Sequence, residues 1–172
     1  MPINPDTKDW TWVLSRPCAE CGFDATSFAA ADIPTMIRDN ARAWPGLLDR
    51  SDVRQRPDDA TWSPLEYGAH VRDVYRLFHE RMRLMLAEHD PQFADWSADD
   101  AALAGRYGEQ DPETVGGEVV EAGEAIADAY EGLAEEQWGR PGRRSNGSLF
   151  TVESLGRYML HDVVHHAHDV RR

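Results

Sequence analysis

The 172-residue sequence is 41% hydrophobic and carries a formal charge of −13, with 31 acidic residues against 18 basic ones. That balance excludes a nucleic-acid partner, because such binding rests mainly on neutralising phosphates with Lys and Arg. The length fits one domain whose core needs no disulfide, and no apolar run approaches the roughly 18 residues of a membrane span.

The opening Met1-Pro2-Ile3-Asn4-Pro5-Asp6 lacks the basic and apolar regions of a signal peptide, so a cytoplasmic protein without membrane association is expected. Lys8 is the single lysine among the basic residues, a bias that reflects a GC-rich genome more than a function. Residues 1–31 read as an irregular arm, broken by Pro2, Pro5, Pro17 and Gly22. Within it, Cys18-Ala19-Glu20-Cys21 is a C-x-x-C holding the only two cysteines, which rules out a four-cysteine metal site. Three roles stay open for it: a local pair of thiols or strained disulfide pinning the arm, redox or thiol exchange, and metal binding.

The bundle proper is expected over residues 32–172. A first helix runs from the N-cap Asp32, with Pro34 in its first turn, to about Asp49, and Pro45 should kink or interrupt it. Ser63-Pro64-Leu65-Glu66 is a complete capping box that starts a second helix reaching about His89. Residues 90–110 form a long connection with room for a short helix near 97–104. A third helix starts at Asp111-Pro112 and continues to about Trp138, and its acidic stripe of Glu121, Glu124, Asp128, Glu131 and Glu135 reads as a solvated face. Arg140–Gly147 is a basic turn, and a fourth helix runs from Thr151 to the end. Four amphipathic helices without a convincing alternating strand define an all-α four-helix bundle, whose usual cofactor position is the core between facing helices.

The histidines are the informative residues. His70 shares the apolar stripe of the second helix with Val74 and Leu77, whereas His79 and His89 sit among charges and read as surface. On the last helix His161 and His165 are four residues apart, on one face. Together with His70 they make a three-imidazole site with open positions, a catalytic rather than structural arrangement. The alternative is a His-rich tail that binds metal only adventitiously.

Two segments, Trp62-Ser63-Pro64-Leu65-Glu66-Tyr67-Gly68-Ala69-His70 and Leu160-His161-Asp162-Val163-Val164-His165-His166, resemble the signature segments of the DinB-like metalloprotein superfamily. That superfamily includes the N-terminal domain of mycothiol-dependent maleylpyruvate isomerase. The resemblance spans roughly residues 32–170 and implies one divalent metal per chain, zinc or nickel, on His70, His161 and His165. It implies homodimers and S-transfer or isomerisation of a small electrophile with a low-molecular-weight thiol such as mycothiol or bacillithiol. In that reading Glu66 or Asp162 orients a ligand, Arg143 or Arg144 meets a carboxylate of the thiol cofactor, and His166 and His168 remain surface or dimer-contact residues. The competing readings are a non-catalytic metal-binding or stress-responsive bundle and a scaffold that dimerises through its helices.

Overall fold

A computed structural model describes residues 9–172. Residues 1–8, which include the opening Met1–Asp6 segment and Lys8, lie outside the described residues. Five α-helices follow an arm: α1 (Ile33–Leu48), α2 (Pro64–Ala87), the short α3 (Ala98–Ala104), α4 (Pro112–Glu131) and α5 (Val152–Arg171). Three short strands, β1 (Gln92–Phe93), β2 (Pro141–Arg144) and β3 (Leu149–Thr151), form one small sheet in the order β1-β2-β3. β1 runs parallel to β2, and β2 and β3 form an antiparallel hairpin. Among the described residues no helix is long and apolar enough to cross a membrane.

Local chemistry sets most helix starts. Ser63 Oγ accepts from the Glu66 backbone N–H at 3.3 Å while Glu66 Oε2 accepts from the Ser63 N–H at 2.8 Å, the reciprocal box expected for α2. Asp111 caps α4 through the Thr114 N–H at 2.8 Å, with Pro112 at the first helical position, where a missing N–H costs nothing. Thr151 and Ser154 cap each other at the start of α5. Asp32 behaves differently from expectation: its carboxylate turns back to the Ala29 N–H at 2.9 Å and makes no side-chain cap on α1. The helix also continues through Pro45 to Leu48, with the Pro45 side against Gly116 of α4.

Two expected spans change. α4 stops at Glu131 rather than near Trp138, because the chain closes on Gly132, whose N–H bonds back to the Asp128 carbonyl at 3.0 Å. The basic stretch Arg140–Gly147 supplies β2 and the hairpin turn, in which Gly147 takes φ +89°. Strands of two to four residues are too short to show a period in sequence.

The bundle is formed by α1, α2, α4 and α5. Neighbours run α1, α4, α2, α5 and back to α1, so α1 and α2 lie across one diagonal and α4 and α5 across the other. Each diagonal step needs a long connection over the bundle end, which residues 49–63 and 132–151 provide. Trp44, Tyr75, Met82, Ile126 and Met159 fill the interior. The arm closes onto this body: Phe23 and Ala25 join the core, and Arg157 of α5 donates to the carbonyls of Ala25 and Phe28.

Candidate metal centre

The buried face of α5 carries Leu155, Gly156, Met159, Leu160, Val163, Ala167 and Val170. Successive residues of a helix turn by about 100°. Asp162 and His166 therefore flank that face on the side of α2, whereas His161 and His165, each two residues from Val163, point to the opposite side. Between residues 161 and 166 the helix thus carries two i,i+4 pairs of ligand-type side chains, offset by one residue and facing different neighbours.

The first pair meets α2. His70 Nε2 lies 3.3 Å from Asp162 Oδ1, and His166 Nε2 lies 3.5 Å from the same oxygen. One ligand atom from each of His70, Asp162 and His166 falls within 4.8 Å of the others. The second pair meets the arm: His161 and His165 gather with Cys18 and Cys21 under the same 4.8 Å limit. His70, His161 and His165 do not come together as one such group among the described residues. The structure divides the expected trio between two faces of α5.

The His70 group fits a metal on the chemistry of its donors. Donors at 2.0–2.2 Å from a tetrahedral zinc stand about 3.3–3.6 Å apart, which matches the two Nε2 to Oδ1 separations. Burial drives the His70 pKa down despite Asp162, leaving a neutral imidazole of the kind a metal requires. Burial also pushes the Asp162 carboxyl up, but His166 and His70 outweigh it and hold the acid down at about 2, so the carboxylate is ionised. His70 Nδ1 is buried and makes no hydrogen bond. His166 Nδ1 faces Asp169 Oδ2 at 3.5 Å, the position from which a carboxylate orients a ligating imidazole.

Aromatic rings wall the group. Trp62 and Trp96 lie 5.1 and 5.7 Å from the His70 ring, and Tyr67 lies 4.9 Å from His166. His70 is buried, while Asp162 and His166 are partly open to solvent. His166, expected at the surface, is therefore a member of the group, and Asp162 lies in it beside His70. The signal was present in sequence: Asp162 and His166 repeat the i,i+4 spacing next to the apolar face. Glu66 serves elsewhere, bonded to Arg56 at 2.9 Å and to Ser63. His168 is half-buried and belongs to neither group.

The two arginines separate. Arg143 is paired with Asp90 on the outside of the sheet. Arg144 Nη1 lies 3.5 Å from the Tyr158 hydroxyl, one turn before Asp162 on α5. Arg81, which sequence reading passed over, lies on α2 against the rings of Phe78 and Phe93, with its Nε buried and unbonded. Burial and the neighbouring Arg144 depress its pKa to about 10. Among the described residues no carboxylate comes within ion-pair range of Arg81.

The fold and site define a four-helix bundle with a partly open histidine and carboxylate cluster, of the kind that could hold a metal ion, between two neighbouring helices. A sequence model of the DinB superfamily matches residues 35–170, most of the chain, and the protein belongs to that superfamily. Among solved structures, YfiT from Bacillus subtilis, described as a probable metal-dependent hydrolase with an unusual four-helix bundle topology, aligns with a TM-score of 0.68. The alignment covers 83% of this chain and 86% of YfiT at 19% identity, a likeness of fold. Among curated proteins none matches the sequence.

Proposed function

We propose that the protein is a metal-dependent hydrolase of a small substrate with an anionic group, its one catalytic ion held by His70, Asp162 and His166. The observation that carries this reading is the pair of Nε2 to Oδ1 separations, 3.3 and 3.5 Å, from two imidazoles to one carboxylate. Two histidines and a carboxylate leave coordination open, the pattern of hydrolytic zinc sites. When bound, such an ion supplies Lewis acidity, polarising an electrophile and lowering the pKa of the nucleophile. The name given to YfiT agrees with that chemistry.

The chain's own residues supply the rest. Trp62, Tyr67 and Trp96 form apolar walls that lower the local polarity and strengthen electrostatics beside the group. Asp169 Oδ2, 3.5 Å from His166 Nδ1, places a negative charge behind that imidazole. Arg81 and Arg144, which make no close carboxylate ion pair among the described residues, offer a cationic end by the Tyr158 hydroxyl for the anionic group of a substrate.

A second reading uses the same residues with a low-molecular-weight thiol as nucleophile, giving S-transfer to a small electrophile. The resemblance of Trp62–His70 and Leu160–His166 to the segments of thiol-using DinB-like proteins favours it. The test is one panel run on untagged protein loaded with zinc or nickel: carboxylic and phosphoric ester and amide hydrolysis beside conjugation of mycothiol and bacillithiol to electrophiles. Turnover without thiol that disappears in His70→Ala and Asp162→Ala supports hydrolysis. Turnover only with thiol selects the second reading, and metal-loaded protein inert in both arms overturns both.

A further inference from the structure

The second cluster on α5 has no part in the function proposed above. Cys18 and Cys21 come from the arm and His161 and His165 from α5, and Cys18 meets His165 across 147 positions of sequence. Read as ligands, they have the spacing C-x2-C and H-x3-H, that of Cys2His2 zinc sites.

The local geometry suits an ion. Cys18 Sγ lies 3.7 Å from His165 Nδ1. A thiolate at 2.3 Å and an imidazole nitrogen at 2.0–2.1 Å from a tetrahedral zinc stand about 3.5–3.6 Å apart. The opposite nitrogen of the same ring, His165 Nε2, faces Glu20 Oε2 at 3.5 Å and Asp169 Oδ2 at 3.7 Å. Carboxylates behind a ligating imidazole fix its tautomer and orientation. His161 Nε2 is buried with no hydrogen-bond partner, a deficit that coordination would remove.

The arm is shaped to deliver both sulfurs. The Gly22 N–H bonds to the Cys18 carbonyl at 2.8 Å, and the Cys18 N–H bonds to the Phe23 carbonyl at 2.8 Å. This tight turn closes through Gly22 at φ +76°, a conformation that costs glycine little. Trp10 stacks on His161 at 5.4 Å, and Phe23 meets the same ring edge-on at 5.7 Å. His161 faces away from the bundle interior and is nevertheless only 5% exposed, because the arm covers it.

We propose that Cys18, Cys21, His161 and His165 bind a second metal ion, a zinc, in a closed structural site that clasps the arm to the outer face of α5. Four protein donors and an aromatic cover leave no position for substrate, which separates this site from the open one beside α2. Two soft thiolates with two imidazoles select zinc over hard cations. On binding, each thiol gives its proton to solvent, and no electron changes hands. The alternatives are less well matched. A Cys18–Cys21 disulfide leaves His161 Nε2 orphaned. A nucleophilic or redox thiol pair likewise leaves His161 Nε2 without a partner.

The test uses full-length untagged protein purified under reducing conditions. Zinc should be released by a mercurial that titrates the two thiols, one equivalent per chain, and His70→Ala should leave that equivalent in place. Cobalt-substituted protein should show a thiolate-to-metal charge-transfer band and the strong visible bands of tetrahedral cobalt, both retained in His70→Ala and lost in Cys21→Ser. Because Cys21→Ser could simply misfold, the wild-type spectrum is decisive alone: cobalt-loaded reduced protein without the charge-transfer band overturns the proposal. So does a thiol pair alkylated equally fast before and after zinc loading. Wild-type protein that holds this ion but none beside His70 would overturn the proposed hydrolase and leave the clasp standing.

Discussion

Asp162 Oδ1 of α5 lies 3.3 Å from Nε2 of His70 on α2, a contact that spans 92 positions of sequence. With His166 against the same carboxylate, this contact brings two imidazoles and an anion to one place between neighbouring helices. Asp162→Ala and His70→Ala should each remove one metal equivalent per chain. Their effect on affinity should exceed the 10–100-fold typical of losing an outer partner. Elemental analysis and competition against a chromophoric chelator provide the measurement, and full metal content in Asp162→Ala would place the ion elsewhere.

Asp169 stands behind both groups, 3.5 Å from His166 Nδ1 and 3.7 Å from His165 Nε2. A carboxylate in that position increases the basicity of the imidazoles and restricts their rings. Asp169→Asn keeps the shape and removes the charge, so metal affinity should fall about 10–100-fold while the helix content is unchanged. Chelator competition measures the fall and far-ultraviolet circular dichroism the fold. An unchanged affinity would reduce Asp169 to an ordinary partner of its helix neighbours.

Glu66 offers a test of acid stability at a carboxylate that belongs to neither metal group. It is buried, and Arg56 and Ser63 donate hydrogen bonds to it. Burial pushes its pKa up, yet hydrogen bonds from Arg56 and Ser63 hold it below the ordinary glutamate value. A carboxyl whose folded pKa is depressed adds stability above the unfolded pKa and loses it as pH falls through the folded one. Glu66→Gln should cost about 1.5–3 kcal/mol at neutral pH, the range for hydrogen bonds to charged groups. The gap between wild type and variant should narrow as pH falls below the unfolded glutamate pKa of about 4.3 and on through the lower folded one. Urea denaturation across that window measures it, and a gap that widens toward acid would contradict the assignment.

The helices were legible because their starts are local. Ser63-Pro64-Leu65-Glu66 and Asp111-Pro112 satisfy orphan N–H groups with neighbours in sequence, and both open helices as read. The registers of α5 were not local. His161/His165 and Asp162/His166 have the same spacing one residue apart, and only the apolar face of the folded helix decides which pair meets α2. His70 pointed inward as its stripe indicated, but its partners could not be named without that face. The pairing of a C-x-x-C with an H-x-x-x-H was written in the sequence, yet most of the chain separates them, and no pattern of residues encodes the return of the arm over α5. The ring order of the helices was likewise hidden, because it depends on close approaches between faces.

One such approach is between α1 and α4, where a Cβ built on Gly123 would stand 2.4 Å from the Cβ of Ala41. Neither backbone can yield without moving a whole helix, since both positions are in the middle of their elements. Gly123→Ala should therefore destabilise the fold by about 1–3 kcal/mol, the usual cost of overpacking, even though alanine is the better helix former. Gly117, two residues after Val115 on the exposed side of the same helix, has nothing within 4 Å of a built Cβ. There the helix propensity acts alone, and Gly117→Ala should stabilise by about 0.5–1 kcal/mol. Denaturant midpoints of the two variants, measured side by side, should move in opposite directions. A stabilised Gly123→Ala would mean that α1 and α4 pack less closely than the Ala41 contact requires, and that glycine was kept there for another reason.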